Sequence, residues 1–171
     1  MKRADHPMHL DAFNELSAAE AEALLRPCVD ADRWIHELIS ARPFATPDEL
    51  TSYALNGIAP FDPQELDAAL AQHPRIGERA EGKSKEADLS RGEQASLNLD
   101  DDAAARLKVA NRNYEQRFDR VFLIRAAGRS TEEILAECER RLDNDEATEL
   151  AEVATQLREI AVLRLNDLLT K

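Results

Sequence analysis

DEATELAEVATQLREIAVLRLNDLL, residues 145–169, is the stretch that decides the fold. Within it Leu150, Val153, Leu157, Ile160, Ala161 and Leu168 recur at about 100° per residue, the period of an α-helix with one buried face. The pattern predicts the last and longest helix, from near Asp145 to about Leu169. One residue breaks the stripe: Arg164 falls in its middle, whereas Arg158 lies at its margin. A buried guanidinium is expensive unless it is paired. Arg164 therefore either meets an internal carboxylate, with Glu93 as a candidate, or its charge reaches a cavity that holds an anion.

Upstream, helix-start signals repeat. Ser17-x-x-Glu20, Thr46-Pro47-x-Glu49, Asp62-Pro63-x-Glu65 and Ser130-x-x-Glu133 each read as a capping box or a close variant, two of them with Pro at the first helical position. The apolar residues behind them keep helical spacing: Leu24 and Leu25; Trp34, Ile35, Leu38 and Ile39; Leu50 and Tyr53; Leu66 and Leu70. Two further helical segments carry Leu107, Ala110, Tyr114 and Phe118, then Ile134, Leu135, Cys138 and Leu142. No strand pattern competes. Val121-Phe122-Leu123-Ile124 is too short for a helix and suits an extended buried connection. Residues 77–89 form a polar stretch without buried periodicity, either a solvated connection or a lid. The expectation is one all-α domain, residues 1–171, of seven or eight helices.

Composition narrows the function. The chain is long enough for one real core, rich in helix formers, and has only 5 Gly. Its net charge of −12 argues against nucleic acid and against an anionic membrane surface, yet leaves room for a small anion held by local arginines. Cys28 and Cys138 read as two free core thiols rather than one bridge. The N-terminus, with His6-Pro7-Met8-His9 after its basic start, resembles no secretion signal. No run approaches a membrane span, and Leu168-Leu169-Thr170-Lys171 is no peroxisomal address. Cytoplasm is the default. His6, His9 and His36 have no partner at metal-ligand spacing, and neither a Gly-rich loop nor a Gly-x-Ser-x-Gly elbow is present. No metal or cofactor is expected.

The chemistry sits in His73-Pro74-Arg75-Ile76-Gly77 and Ser90-Arg91-Gly92-Glu93-Gln94. His73 ends the helix opened by Asp62-Pro63, because a residue before proline is pushed out of the helical region. There it meets unpaired carbonyls and the negative end of the helix dipole, which favours the imidazolium. It is a capping histidine or an acid–base catalyst. Ser90-x-x-Glu93 fits another capping box, but Ser90, Glu93 and Gln94 also project from one face of a first turn whose free N–H groups suit an anion.

The two motifs together, with the C-terminal run Glu159-Ile160-Ala161-Val162-Leu163-Arg164-Leu165, resemble the 2-oxo-4-hydroxy-4-carboxy-5-ureidoimidazoline (OHCU) decarboxylases of urate breakdown. Arg42-Pro43-Phe44, Asn113-Tyr114 and Arg141-Leu142 to Asn144 add to the resemblance. It implies an all-helical, usually homodimeric enzyme that converts OHCU to (S)-allantoin without a cofactor. It makes His73 the acid/base, with Pro74 beside it, Ser90, Glu93 and Gln94 on the ligand, and Arg164 as a substrate group. Glu93 is a second catalytic candidate, accepting a proton or orienting His73. The main chain of Phe122, Leu123, Ile124, Arg125 and Ala126 is implied to bind the ligand. The chain departs from many relatives at Phe118-Asp119-Arg120-Val121, where a Phe-Gly-Phe-Pro-like approach is common, at Ile76, and at Arg91-Gly92. The rival reading is a non-catalytic, acidic helical protein-interaction module, for which His73, Glu93 and Arg164 would be coincidences.

Overall fold

The computed structural model describes residues 8–71, 73, 75–76, 93–94, 97 and 100–170. Among them are eight α-helices: α1 (Leu10–Glu15), α2 (Ala18–Leu25), α3 (Asp32–Ser40), α4 (Pro47–Ser52), α5 (Pro63–Leu70), α6 (Asp101–Phe118), α7 (Thr131–Arg141) and α8 (Glu146–Leu168). The expected start signals operate as read. Ser17, Asp62 and Ser130 each complete a reciprocal capping box with Glu20, Glu65 and Glu133. Thr46 accepts from the Glu49 N–H, with Pro47 opening α4. Asp145 Oδ1 accepts from the Thr148 N–H at 2.7 Å and so starts α8. Each such cap satisfies backbone donors that a helix end leaves orphaned.

Two features depart from the sequence expectation. The helix expected through Tyr53 widens after Ser52 into a π-helical turn, Tyr53–Gly57. A Cβ on Gly57 would stand 2.6 Å from the Tyr53 ring, so this turn needs glycine for space. Two arginines collect the carbonyls that follow: Arg158 from Leu55 (2.7 Å) and Ile58 (3.1 Å), Arg33 from Ala59 (3.1 Å) and Pro60 (3.0 Å). Burial, then the nearby Arg33 charge, lowers the Arg158 pKa from the usual arginine range. Second, Met8–His9 pairs in parallel with Leu169–Thr170, a ladder too short to leave a periodic signal.

The chain divides into two compact units, Met1–Phe61 with Arg158–Lys171, and Asp62–Leu157. In the first, Phe13, Leu25, Trp34, Ile35, Leu38, Leu50, Ala161 and Leu165 are wholly buried. Arg42 donates to the Phe13 and Leu16 carbonyls at 2.8 Å each, and Asn14 and Phe44 exchange two bonds of 2.9 Å. Arg42-Pro43-Phe44 is thus a brace that ties the end of α3 to α1.

In the second unit one cluster holds Ile76, Leu97, Leu107, Tyr114, Phe118, Phe122, Ile124, Ala126, Ile134, Leu135 and Cys138. The Tyr114 ring packs against Phe118 at 4.8 Å and Phe122 at 5.1 Å. Residues 121–126 lie outside any helix, and Phe122, Leu123, Ile124 and Ala126 are buried, so the short apolar run is a buried connection. Among the described residues no helix is long and apolar enough to cross a membrane.

Cys28 and Cys138 are both buried, and they are not joined in a disulfide. Burial pushes the Cys138 thiol up to about 11, and its Sγ lies 3.6 Å from the Ala110 carbonyl. Since the thiolate is the nucleophile, Cys138 should resist iodoacetamide at pH 8 in the native protein and react fully in denaturant. Mass spectrometry of the alkylated peptides checks this, and prompt native labelling would contradict it.

Asp119 ends α6 in the left-handed region, φ 55° and ψ 38°. An L residue there costs roughly 1–2 kcal/mol, less for Asp, and glycine avoids the cost. Urea titration should find Asp119→Val destabilised by about 1–2 kcal/mol and Asp119→Gly neutral or slightly stabilised. Equal stability for the Val and Gly variants would show that the left-handed backbone at Asp119 costs nothing.

Candidate active site

α5 stops at Leu70, three residues before His73, and a turn carries the chain on: the His73 N–H donates to the Leu70 carbonyl at 3.1 Å. His73 is half-buried. The chain just beyond it is pinned to α6 by two devices. Arg75 makes a two-pronged ion pair with Glu115, Nε to Oε2 at 2.9 Å and Nη2 to Oε1 at 2.8 Å. Ile76 is buried in the core, and its carbonyl accepts from the buried Asn111 side chain at 2.8 Å. A groove of about 700 Å³ runs along α6 beside Arg75 and Ile76, and Lys108 and Arg112 line it. In a chain of net charge −12, that is a local surplus of cations.

Glu93 and Gln94 are helical and half-buried. The Gln94 carbonyl accepts from the Leu97 N–H at 3.1 Å, and Leu97 is buried in the same cluster as Ile76. His73, Glu93 and Gln94 are each engaged in polar or electrostatic contacts. Pro74, Ser90 and the polar stretch 77–89 lie outside the described residues.

The third element is the run Phe122–Ala126. Phe122, Ile124 and Ala126 enter that same cluster, and Leu123 is buried as well. Its backbone is tied down by helix side chains. The Leu123 carbonyl accepts from Arg141 Nη1 at 2.8 Å, and the Arg125 N–H donates to Gln156 Oε1 at 2.9 Å. The Arg125 guanidinium folds onto the Ala127 carbonyl at 2.8 Å, and Gly128, at φ 81°, turns the chain away. Ile76, Leu97 and Phe122 to Ala126 thus root all three candidate segments in one core.

Behind the run lies a buried charge network. Arg141 is 1% exposed and Glu149 fully buried. Arg141 Nε lies 3.1 and 3.0 Å from the two Glu149 oxygens, and Nη2 also donates to Oε2. Tyr114 donates its hydroxyl to Glu149 Oε2, and Asn144 Nδ2 donates to Oε1 at 3.1 Å. The Arg141 cation stands over the Phe122 ring at 4.7 Å and the Tyr114 ring at 5.7 Å. Burial, then the bond to Glu149, pushes the Tyr114 phenol far above its usual pKa, so it stays a donor at any working pH. Burial disfavours the Arg141 cation but Glu149 overrides it, leaving its pKa raised.

Sequence reading flagged Arg141 and Asn144 only through resemblance, found Tyr114 also as an apolar helix position, and missed Glu149 and Gln156. The signal was there. Arg141 follows Cys138 by three and Ile134 by seven, and Glu149 precedes Val153 and Leu157 by four and eight, so both lie on apolar faces.

Arg164 is 1% exposed, as the stripe required, and belongs to the other compact unit, where its Nη1 donates to the Pro27 carbonyl at 3.0 Å. His36, by contrast, is exposed on α3 with Glu22 at 3.5 Å.

A sequence model of OHCU decarboxylase matches residues 14–166. A 2-oxo-4-hydroxy-4-carboxy-5-ureidoimidazoline decarboxylase of Haloferax volcanii is 30% identical over 169 residues, covering 96% of this chain and 91% of its own. One from Amia calva is 31% identical, over 84% of this chain and 81% of its own. A uric acid degradation bifunctional protein of a Bacillus species is 27% identical, and this chain matches 32% of its length. Two solved structures share the fold. One, an OHCU decarboxylase crystallised in the presence of (S)-allantoin, has a TM-score of 0.62 at 20% identity, over 85% of this chain and 96% of its own. The other, an (S)-allantoin synthase, has a TM-score of 0.67 at 14% identity, over 95% and 54%. With the three candidate segments rooted in one core and the match running along nearly its whole length, this chain belongs to the OHCU decarboxylase family.

Proposed function

We propose that this protein removes carbon dioxide from OHCU to give (S)-allantoin, as a cofactor-independent carboxy-lyase of urate breakdown. The observation that carries the reading is family membership along residues 14–166. That span takes in parts of both compact units, which supports residues 1–171 acting as one domain. The common core beneath the His73, Glu93–Gln94 and Phe122–Ala126 segments supports a shared site.

The chemistry needs no helper. When the bond from C4 to the carboxylate breaks, its electron pair forms C4=C5 and the imine nitrogen takes a proton. The C4 hydroxyl then loses its proton as the carbonyl forms, and C5 gains a proton on one face. His73 delivers that last proton, which sets the handedness of the product. Glu93 accepts the hydroxyl proton or orients His73. Arg164 holds an anionic or carbonyl group, and Pro74, Ser90, Gln94 and the main chain of Phe122, Leu123, Ile124, Arg125 and Ala126 hold the rest of the substrate. We take the protein as a homodimer, as the family resemblance implies, and place it in the cytoplasm by default.

The test is optical. Freshly generated OHCU decays on its own to racemic allantoin, so the enzyme should give an excess of the (S) form by circular dichroism. Placed acid–base groups contribute about 10²–10⁴-fold, so His73→Asn should stay folded and lose nearly all of the excess. Glu93→Gln should lose turnover with little change in melting temperature. Wild-type activity in folded His73→Asn removes His73 from the chemistry, and a Glu93→Gln variant that mainly melts earlier is a broken cap.

Arg164→Met should weaken (S)-allantoin binding by roughly ten- to a hundredfold, the worth of one charge-assisted hydrogen bond. Calorimetry and thermal melts check it. A loss of about 3–5 kcal/mol in the ligand-free protein with unchanged affinity makes Arg164 a structural charge instead.

A further inference from the structure

We propose that Arg141 and Glu149 are positioning residues for the substrate: they hold the Leu123 carbonyl, and with it the register of the Phe122–Ala126 main chain. The proposal rests on the reading of that run as substrate-binding backbone, and it adds the device that makes irregular backbone fit for the task.

Three observations carry it. First, Arg141 spends itself on the protein. Each of its three side-chain nitrogens donates to a protein acceptor, two to Glu149 and one to the Leu123 carbonyl. Its charge is met by a carboxylate with no exposed surface, so it acts through the run and not on a ligand. Second, Arg141 grips adjacent residues in two ways, the Leu123 carbonyl at 2.8 Å and the Phe122 ring at 4.7 Å. With Gln156 on the Arg125 N–H, the run is held at residues 123 and 125 by α7 and α8. The Leu123 carbonyl and the Arg125 N–H are thus spent on the scaffold, and contact with the substrate falls to other backbone groups of the run. Third, the neighbour shows what a plain surface ion pair does. Arg140 pairs with Glu137 and Glu152 and is half exposed.

A buried ion pair is weak support for stability, because apolar residues of like volume often replace it without loss. They cannot replace a donor to Leu123. The discriminating variant is therefore the double substitution Arg141→Met with Glu149→Met, which strands no charge. It should melt near the wild type, raise KM for OHCU and Kd for (S)-allantoin tenfold or more, and lower kcat by a smaller factor. Arg140→Met, one residue away, should leave KM unchanged. If the double variant fails to fold, Arg141→Lys serves: its ammonium keeps a cation beside Glu149 but does not span both Glu149 and Leu123, and KM should again rise several-fold. A folded double variant, or a folded Arg141→Lys, with wild-type KM and Kd overturns the proposal. If wild-type protein gives no excess of (S)-allantoin, the decarboxylase reading itself fails, and that result is obtained before any variant is made.

Discussion

A guanidinium and a carboxylate with almost no exposed surface can coexist in an apolar core only if nearly every donor and acceptor they own is used. Arg141 and Glu149 meet that condition by recruiting Tyr114 from α6, Asn144 from the turn before α8 and the Leu123 carbonyl from the Phe122–Ala126 run. Breaking such a pair from one side typically costs about 3–5 kcal/mol, a large part of the 5–15 kcal/mol that separates folded from unfolded domains. The second compact unit is arranged around this constraint. α6 supplies the aromatic floor, α7 and α8 supply the two charges, and the run between α6 and α7 supplies the carbonyl that completes the shell.

Much of this fold is legible in the sequence, for a local reason. Ser17, Asp62 and Ser130 cap helices through groups three residues away, so the signal and the structure lie in the same few residues. The α8 stripe is legible because burial repeats along it, and it exposes Arg164 by contrast. What escapes is set by distance along the chain. The π-helical turn at Tyr53–Gly57 is answered by Arg158, 103 residues from the Leu55 carbonyl it caps. The Met8–His9 pairing depends on residues at the far end of the chain.

The candidate site was legible in a different degree at each part. His73 and Glu93 announce themselves as residue types at a spacing, and resemblance names the reaction. The supports do not announce themselves, because they act on backbone. A carbonyl such as that of Leu123 has no sequence signature, and its partner Arg141 sits beside Arg140 in a helix crowded with charge. Arg140 points to Glu137 and Glu152 at the surface while Arg141 turns inward to Glu149. Only the helical period separates the two. Gln156 is harder still, since an amide on α8 is unremarkable until the Arg125 N–H is found beside it.

These supports give irregular segments the fixed geometry that the proposed chemistry would need. Backbone outside helices and sheets must find partners for its polar groups or pay in desolvation, so it normally stays at the surface and moves. In this unit the relevant stretches are held otherwise: Ile76 by Asn111, Leu123 by Arg141 and Arg125 by Gln156, each a helix side chain bonded to loop backbone. The apolar residues next to those points, Ile76, Phe122 and Ile124, then enter one core. Hydrogen bonding fixes the register and apolar burial fixes the depth, so a loop gains the precision of a strand without a sheet. A surface that binds a small molecule needs its polar groups held to within a fraction of an ångström, and helix side chains bonded to loop backbone supply that rigidity.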